Sequence, residues 1–82
     1  MTIEEHIKEY ISKNLIFNNS GYPFNDEDSF LDQGIVDSIG IMQLILFVED
    51  QFKISIADDE ITPMNFDSVT RLAAYIRIKM TE

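Results

Sequence analysis

The stretch DSIGIMQLILFVEDQF, residues 37–52, combines a helix-start signal with a long apolar run. One set of its apolar residues recurs at the spacing of a single helix face: Ile41, Leu44, Ile45, Val48 and Phe52. A second apolar side consists of Ile39, Met42, Leu46 and Phe47. The pattern predicts a helix from Ser38 to Phe52. A helix with two apolar sides is either central to a bundle or carries a binding surface.

The N-terminal part of the chain predicts a second helix and a long connection. Thr2 and Glu5 have the spacing of a capping box, and apolar residues at helical spacing predict a helix from about residue 3 to about residue 16. The connection that follows is longer than is usual in a compact domain, so we expect it to be functional or fixed to the core. Its candidate core contacts are Phe30, Leu31 and Ile35.

The C-terminal part predicts the remaining elements. Residues 54–56 alternate like a strand but have nothing to pair with, so we expect an extended linker there. Residues 58–61 suit a short helix that Pro63 would end, and Asp67 is the predicted cap of a last helix. The inner face of that last helix is predicted to be Val69, Leu72, Ala73, Ile76 and Met80. The predicted fold is all-α, a small bundle of three main helices plus one short helix, in a single domain of residues 1–82.

Composition excludes several classes of function. The 82 residues contain no cysteine and one histidine, His6, which excludes disulfides, thiolate metal sites and multi-histidine cages. The net charge of −9 argues against nucleic acid as a partner, because phosphates require a basic face. No segment approaches bilayer length, and we expect a cytoplasmic monomer without a membrane span. Residues 14–52 contain no lysine or arginine, so this span is either a solvated face or a docking surface for basic partners.

Ser38 has three possible roles. As a nucleophile it lacks the expected neighbours, because Val36 stands where the G-x-S-x-G elbow needs glycine and His6 is the only candidate general base. As structure, either Asp37 or Ser38 makes a good N-cap. As an attachment site, a serine in the first helical position exposes its hydroxyl. A phosphodiester on that hydroxyl would meet free backbone amides and the positive end of the helix dipole.

The run FLDQGIVDSIGIMQLILFVEDQFKISIADDEI, residues 30–61, resembles the centre of an acyl carrier protein. In that family an Asp-Ser-hydrophobe motif opens helix II and the serine carries 4′-phosphopantetheine, which is derived from coenzyme A. The residues that fall at the family's spacing are Gly34, Asp37, Ser38, Leu44, Glu49, Phe52, Ile54, Ile56 and Glu60. The resemblance implies that Ser38 is the attachment site, that Asp37 takes part in recognition by the phosphopantetheinyl transferase, and that the protein itself catalyses nothing.

The resemblance also implies a function. We expect a carrier that holds an acyl or aminoacyl group as a thioester and presents it to enzymes of a fatty-acid, polyketide or related pathway. The sequence departs from the family's usual pattern at Ile39, where leucine is commoner, and at Gln43, where many carriers have a docking glutamate. The stretch GIVDSIGIMQLIL is also similar to D-alanyl carrier proteins, which keeps an aminoacyl cargo open. The alternative from another class is an unmodified acidic helical adaptor that binds basic protein partners.

Two further sets of residues are expected to act in such a carrier. The predicted partner-binding residues are Met42, Leu46, Glu49, Asp50 and Ile56, with Asp58 and Asp59 as additional negative charges. They would contact the transferase, a loading ligase or transferase, and synthase enzymes with basic docking patches. By resemblance, an acyl chain would be sheltered by Leu46, Ile56 and Ile61.

Overall fold

The computed structural model describes residues 1–81, which form a helical bundle. Its α-helices are α1 (Ile3–Asn14), α2 (Ser38–Phe52), α3 (Pro63–Phe66) and α4 (Val69–Met80), and a 3₁₀ turn spans Asp58–Glu60. Residues 1–81 contain no strand, and residues 54–57 have no regular secondary structure, as predicted for a linker. The prediction of an all-α bundle with three main helices and one short helix is confirmed.

α1 begins at the predicted capping box and ends two residues earlier than predicted. The Thr2 hydroxyl accepts from the Glu5 N–H at 3.1 Å, and the Glu5 carboxylate accepts from the Thr2 N–H at 2.8 Å. Phe17 takes the left-handed conformation with φ of 53°, and the Asn18 N–H donates back to the Ser12 carbonyl at 2.7 Å. This reversal turns the chain away from the helix axis, so α1 stops at Asn14.

The core lies between α1, α2 and α4. Its fully or nearly fully buried apolar side chains come from all three long helices and from the segments between them: Ile7, Ile11, Phe30, Ile35, Val36, Leu44, Ile45, Val48, Phe66, Val69, Leu72, Ala73, Tyr75 and Ile76. The connection between α1 and α2 contributes Phe30, Ile35 and Val36 to this set, so it is fixed to the core as expected for a loop of its length.

Two predicted core residues lie outside the core. Leu31 is 57% exposed, because the turn that directs Phe30 inward directs the next side chain outward. Met80 is 52% exposed, because it follows Ile76, the last buried residue of α4, by one helical turn. The remaining predicted inner-face residues of α4 are buried.

The predicted helix at residues 58–61, ended by Pro63, is wrong in its extent. The structure has only a 3₁₀ turn at Asp58–Glu60, and Pro63 begins α3 instead of ending a helix. Proline suits the first helical position because its fixed φ is already helical and its missing N–H would have no intrahelical acceptor there. The residue before it, Thr62, is extended, as expected before proline.

Asp67 is not the cap of α4. The N-cap is Ser68, whose hydroxyl accepts from the Arg71 N–H at 3.1 Å. The Asp67 carboxylate instead accepts from the Ser29 hydroxyl and from the Leu31 N–H, and so holds the long connection against the start of α4. A side chain engaged by a distant loop cannot also cap its own helix, so the cap passes to the next residue.

The surface of α4 is tied to the rest of the molecule by ion pairs. Arg77 binds Glu4 of α1 through two hydrogen bonds of 2.7 and 2.9 Å, and this contact lowers the pKa of Glu4. The Glu60 carboxylate accepts from the Tyr75 hydroxyl at 3.0 Å and from Lys79 Nζ at 3.2 Å. These bonds fix the 3₁₀ turn on α4. None of the helices in residues 1–81 has the length and apolar character needed to cross a membrane.

Candidate functional site

Asp37 and Ser38 divide two roles at the N-terminus of α2. Asp37 is the N-cap: its Oδ1 accepts from the Gly40 N–H at 2.8 Å, and its carbonyl accepts from the Ile41 N–H at 2.9 Å. Ser38 is the first helical residue and its side chain is exposed. The amides of Ser38 and Ile39 precede the first intrahelical bond, so α-helix geometry gives them no acceptor within the helix. The serine hydroxyl therefore lies beside free N–H groups and the positive end of the helix dipole.

Gly40 allows this helix start to lie against the end of the connection. A Cβ at Gly40 would lie 2.8 Å from Val36 Cγ1 and 3.3 Å from Asp37 Oδ1. Val36 is only 4% exposed and has little room to retreat. The absence of a side chain at residue 40 is what lets Val36 pack under the first turn of α2 and leaves Ser38 on the outside.

The connection that leads to Ser38 is held by hydrogen bonds with Asp67 and Thr70, which flank the beginning of α4. The Phe30 N–H donates to the Asp67 carbonyl at 2.8 Å, and the Leu31 N–H donates to Asp67 Oδ1 at 3.0 Å. The Thr70 N–H donates to the Asp26 carbonyl at 3.0 Å, while Asp26 Oδ1 lies 3.1 Å from Lys8 Nζ. These contacts restrain an otherwise irregular segment ahead of the serine. Sequence reasoning missed this role of Asp67 because its partners lie more than thirty residues away.

Nucleophilic catalysis by Ser38 finds no support in this geometry. The ring of His6 contacts the ring of Phe52 edge-on, with centroids 5.8 Å apart, so His6 is partly buried and is not a plain surface residue. Ser38 and Phe52 occupy opposite ends of α2, and fourteen residues of α-helix span about 21 Å. His6 therefore lies far from the serine hydroxyl and cannot accept its proton.

The outer side of α2 exposes a row of large apolar side chains. Ile39 is 71% exposed, Met42 59% and Leu46 65%. Phe47, the fourth residue of the predicted second side, instead stacks on Tyr10 of α1 with ring centroids 4.2 Å apart. The second apolar side therefore exists, but only three of its four predicted residues are exposed. Met42 and Leu46 are separated by one helical turn, and Asp50 follows Leu46 at the same spacing, so the three lie on one side of the helix.

The predicted acidic docking residues have different surroundings. The Asp50 side chain is 90% exposed and its Oδ1 lies 3.9 Å from Lys53 Nζ. The Glu49 carboxylate accepts from the Ile56 N–H at 2.9 Å, and Ile56 packs partly buried against the core. Glu49 therefore holds the linker after α2 in addition to carrying charge. Asp58 and Asp59 are exposed in the 3₁₀ turn.

A mostly apolar cavity of about 140 Å³ opens between the connection, α2 and α3. Its lining residues are Leu31, Ile41, Ile61, Thr62, Pro63, Phe66 and Asp67. Of the three residues expected to shelter an acyl chain, Ile61 lines this cavity, whereas Leu46 and Ile56 do not. Leu31 and Phe66 also line it and are not among the predicted residues. Leu31 is exposed and lines the cavity, so this loop leucine beside a buried phenylalanine is not a second core residue.

No group of three or more histidine, cysteine, aspartate or glutamate side chains in residues 1–81 is arranged to hold a metal ion. The chemistry that this region offers is instead that of one exposed hydroxyl, the amide groups beside it and an apolar cavity near it. Such a set suits a covalently attached anionic group with an apolar cargo.

Comparison with known proteins agrees with this chemistry. A family model described as "Phosphopantetheine attachment site" matches residues 5–76. The chain is 35% identical over 77 residues to a protein named acyl carrier protein from Buchnera aphidicola subsp. Schizaphis graminum (strain Sg). That alignment covers 94% of this chain and 92% of the relative, so the similarity extends over nearly the whole of both proteins.

Proposed function

The chain belongs to the acyl carrier protein family, and from this premise we propose that Ser38 is the residue that carries its 4′-phosphopantetheine. Membership confirms the predicted function, that of a non-catalytic carrier with a phosphopantetheine attachment site. The observation that supports Ser38 is its exposed hydroxyl in the first helical position, directly after the capping Asp37.

The residues around Ser38 fit the group chemically. A phosphodiester on the hydroxyl would accept hydrogen bonds from the free N–H groups of the first turn. The Asp37 carboxylate is directed to the Gly40 N–H. The group supplies a thiol, on which cargo is held as a thioester. In the loading reaction the Ser38 oxygen attacks the phosphorus that bears the pantetheine in coenzyme A, and adenosine 3′,5′-bisphosphate leaves. We assign the base to the transferase, because His6 lies far from the hydroxyl and the neighbouring Asp37 carboxylate already accepts from the Gly40 N–H.

The test of this proposal is loading followed by intact mass spectrometry. With coenzyme A and a broad-specificity phosphopantetheinyl transferase, the protein is expected to gain one phosphopantetheine. Ser38→Ala is expected to gain none while keeping the helical circular dichroism of the wild type. Ser55→Ala is the matched control, because Ser55 is also exposed but lies in the linker after α2.

Two outcomes contradict the proposal in different ways. Loading of Ser38→Ala would place the group on another residue and overturn the assignment of Ser38. Failure of the wild type with several such transferases would favour the alternative, an unmodified acidic adaptor for basic protein partners.

We further propose that partners dock on the outer side of α2. Met42 and Leu46 form its apolar centre, and Asp50, Asp58 and Asp59 provide negative charge for basic patches on the transferase, the loading enzyme and the synthase enzymes. A flexible methionine among exposed aliphatic side chains suits a surface that must fit several enzymes in turn. Glu49 and Ile56 complete the proposed surface at its linker end. The proposed carrier is a single domain, a monomer and cytoplasmic.

The cavity favours an acyl cargo over an aminoacyl one. Its walls are mainly aliphatic and aromatic, and its one carboxylate, Asp67, already accepts from Ser29 and Leu31. The ammonium group of a D-alanyl cargo would lose water on entering, and the Asp67 carboxylate that it would meet is already shared with Ser29 and Leu31. We therefore place the cargo among the acyl groups of a fatty-acid, polyketide or related pathway, with the end of the chain sheltered beside Ile61.

The size of the cavity sets an expected chain length. Its volume of about 140 Å³ is similar to that of an apolar protein cavity of ~150 Å³ that binds benzene, a six-carbon ring. Loading saturated acyl chains of increasing length is expected to raise the melting temperature up to about six carbons, with little further gain beyond that length. The unloaded phosphopantetheine form is the reference. A melting temperature that stays constant across the series would show that the cargo remains in solvent.

A further inference from the structure

A second depression lies on the other side of α2 from the acyl cavity. It has a volume of about 480 Å³ and lies between the C-terminal end of α1, the end of the connection and the first turns of α2. Ile39 belongs to its lining, whereas Ile41 belongs to the lining of the acyl cavity. Residues two positions apart on a helix of 3.6 residues per turn point to nearly opposite sides. Ser38 lies on the helix between the directions of Ile39 and Ile41, and so at the boundary between the two sites.

We propose that this depression, the α1–α2 groove, is the resting site of the unloaded phosphopantetheine arm. The proposal rests on the proposed function, since it requires the arm to be attached at Ser38. It assigns the groove to the pantetheine portion of the arm and leaves the acyl cavity to the cargo.

The first argument is the position of the tether. Both chain neighbours of Ser38, Asp37 and Ile39, line the groove. A group attached to the serine hydroxyl therefore reaches the groove without crossing any other part of the molecule. Attachment also makes the effective concentration of the arm high, so modest contacts are enough to hold it there for much of the time.

The second argument is the chemistry of the lining. Pantetheine alternates two amide groups with apolar segments, one of which carries two methyl groups on the same carbon. The groove places the side-chain amides of Asn14 and Gln43 among the aliphatic side chains of Leu15 and Ile39. Asn14 Nδ2 donates to the Tyr10 carbonyl at 3.1 Å, which leaves its oxygen available as an acceptor. The mainly apolar acyl cavity offers no comparable set of partners for two amides.

The third argument is Phe17 at the groove. Phe17 is 76% exposed. Its backbone takes the left-handed conformation, with φ of 53°, which is uncommon for a residue with a bulky side chain. Backbone strain of this kind is frequent at ligand-binding segments. Ile39 is also 71% exposed, and neither side chain contributes to the core. Contact with the dimethyl segment of the arm would remove both from water.

The two sites together give the arm two positions. Without cargo, the amides and methyl groups of the arm occupy the α1–α2 groove. With an aliphatic acyl group, burial of the chain in the cavity on the other side of α2 competes with those contacts and draws the arm away from Phe17. The position of the arm then reports whether the carrier is loaded.

The experiment uses isotopically labelled protein carrying an unlabelled arm, which the transferase adds from coenzyme A. Intact mass first establishes loading at Ser38. Isotope-filtered nuclear Overhauser spectra are then expected to connect the dimethyl protons of the arm to the Phe17 ring and to the methyl groups of Leu15 and Ile39. After a hexanoyl group is attached to the thiol, these cross-peaks are expected to weaken and the cargo is expected to contact Ile61 and Phe66.

A pair of variants separates the groove from general apolar exposure. Phe17→Asn removes the ring but keeps a residue that tolerates the left-handed conformation, and it is expected to lose most of the arm's contacts with Ile39. Ile78→Gln is the control, because Ile78 is 61% exposed on α4 and does not line the groove, and it is expected to keep them.

The outcomes distinguish this proposal from the one on which it rests. A protein that carries the arm at Ser38 can still show a cargo-free arm that contacts the acyl cavity, or that contacts no residue of the groove. Either result overturns the resting site and leaves the attachment at Ser38 intact. Contacts that survive Phe17→Asn unchanged also overturn the assignment. Absence of loading at Ser38 overturns both proposals together.

Discussion

α2 and α4 both pack an apolar face into the core, but they differ in how much of their remaining surface contacts the rest of the molecule. α4 has twelve residues and buries five of them, and its basic residues Arg77 and Lys79 form ion pairs with Glu4 and Glu60. α2 has fifteen residues and leaves Ile39, Met42 and Leu46 exposed. α4 is thus engaged on both its apolar and its charged sides, whereas the outer side of α2 is covered by nothing in the described chain.

The difference shows which part of α2 the fold requires. Its inner residues Leu44, Ile45 and Val48 complete the same core that α4 completes, so one apolar face is sufficient for the bundle. The exposed row is additional. Keeping large apolar side chains in water gives the folded state no benefit by itself, and a contiguous row of them supports the proposal that partners dock there.

The largest expected effect compares two leucines on the two sides of α2. Leu44 is fully buried, and Leu44→Ala is expected to lower the free energy of unfolding by about 2–5 kcal/mol through lost burial and an incompletely filled cavity. Leu46 is 65% exposed, and Leu46→Ala is expected to change it by less than about 0.5 kcal/mol. Urea denaturation of the two variants provides the measurement. Equal losses would mean that Leu46 supports the bundle and would remove the distinction between the two sides.

The bounds of α2 could be predicted because its signals are local. Asp37 caps the helix within its own first turn, and the apolar spacing continues without interruption to Phe52. The C-terminal half was predicted less well. Asp67 and Ser68 are both good caps by residue type, and the choice between them depends on Ser29 and Leu31, which are brought there by tertiary structure.

The candidate site shows the same division. The position of Ser38 directly after the cap of α2 could be predicted, because it is defined by the residues next to it in sequence. The lining of the cavity could not be predicted from the sequence, because its walls come from separate segments and Leu31 has no periodic pattern to show its direction. Glu49 remains a predicted docking residue, but its bond to the Ile56 N–H could not be read from charge spacing alone.

A smaller effect is expected from the contact between Glu60 and α4, which contributes to the free energy of unfolding. The Ala57 N–H, Lys79 and Tyr75 all donate to Glu60 and lower its pKa below the ordinary value of 4.5. A carboxyl group whose pKa is lower in the folded protein stabilises it above pH 4.5, and this contribution is lost as the pH falls through the folded-state pKa. Glu60→Gln is therefore expected to lower stability at neutral pH and to flatten the decline of the free energy of unfolding in acid.

The matched control is Asp59→Asn in the same 3₁₀ turn, because the Asp59 side chain makes no hydrogen bond within residues 1–81. Denaturant unfolding between pH 7 and pH 3 gives both curves. An acid decline for Glu60→Gln as steep as that of the wild type would mean that the contact with α4 contributes nothing measurable.

The smallest expected effect concerns the charges beside the exposed row of α2. Asp50→Lys and Asp59→Lys are each expected to slow association with the transferase, because exposed charges mainly steer the encounter with a basic patch. At roughly 0.2–1 kcal/mol for each exposed pair, the change per variant is no more than about five-fold. Glu49 is left unchanged because its substitution would also release Ile56.

Glu9→Lys on α1 is the control reversal of the same size, and Met42→Ala is expected mainly to speed dissociation. Stopped-flow binding at increasing salt separates these effects, since only the steering component is screened. If association is insensitive to salt and Asp50→Lys and Asp59→Lys act no more strongly than Glu9→Lys, the acidic residues serve as a solvated face and the apolar row alone selects the partner.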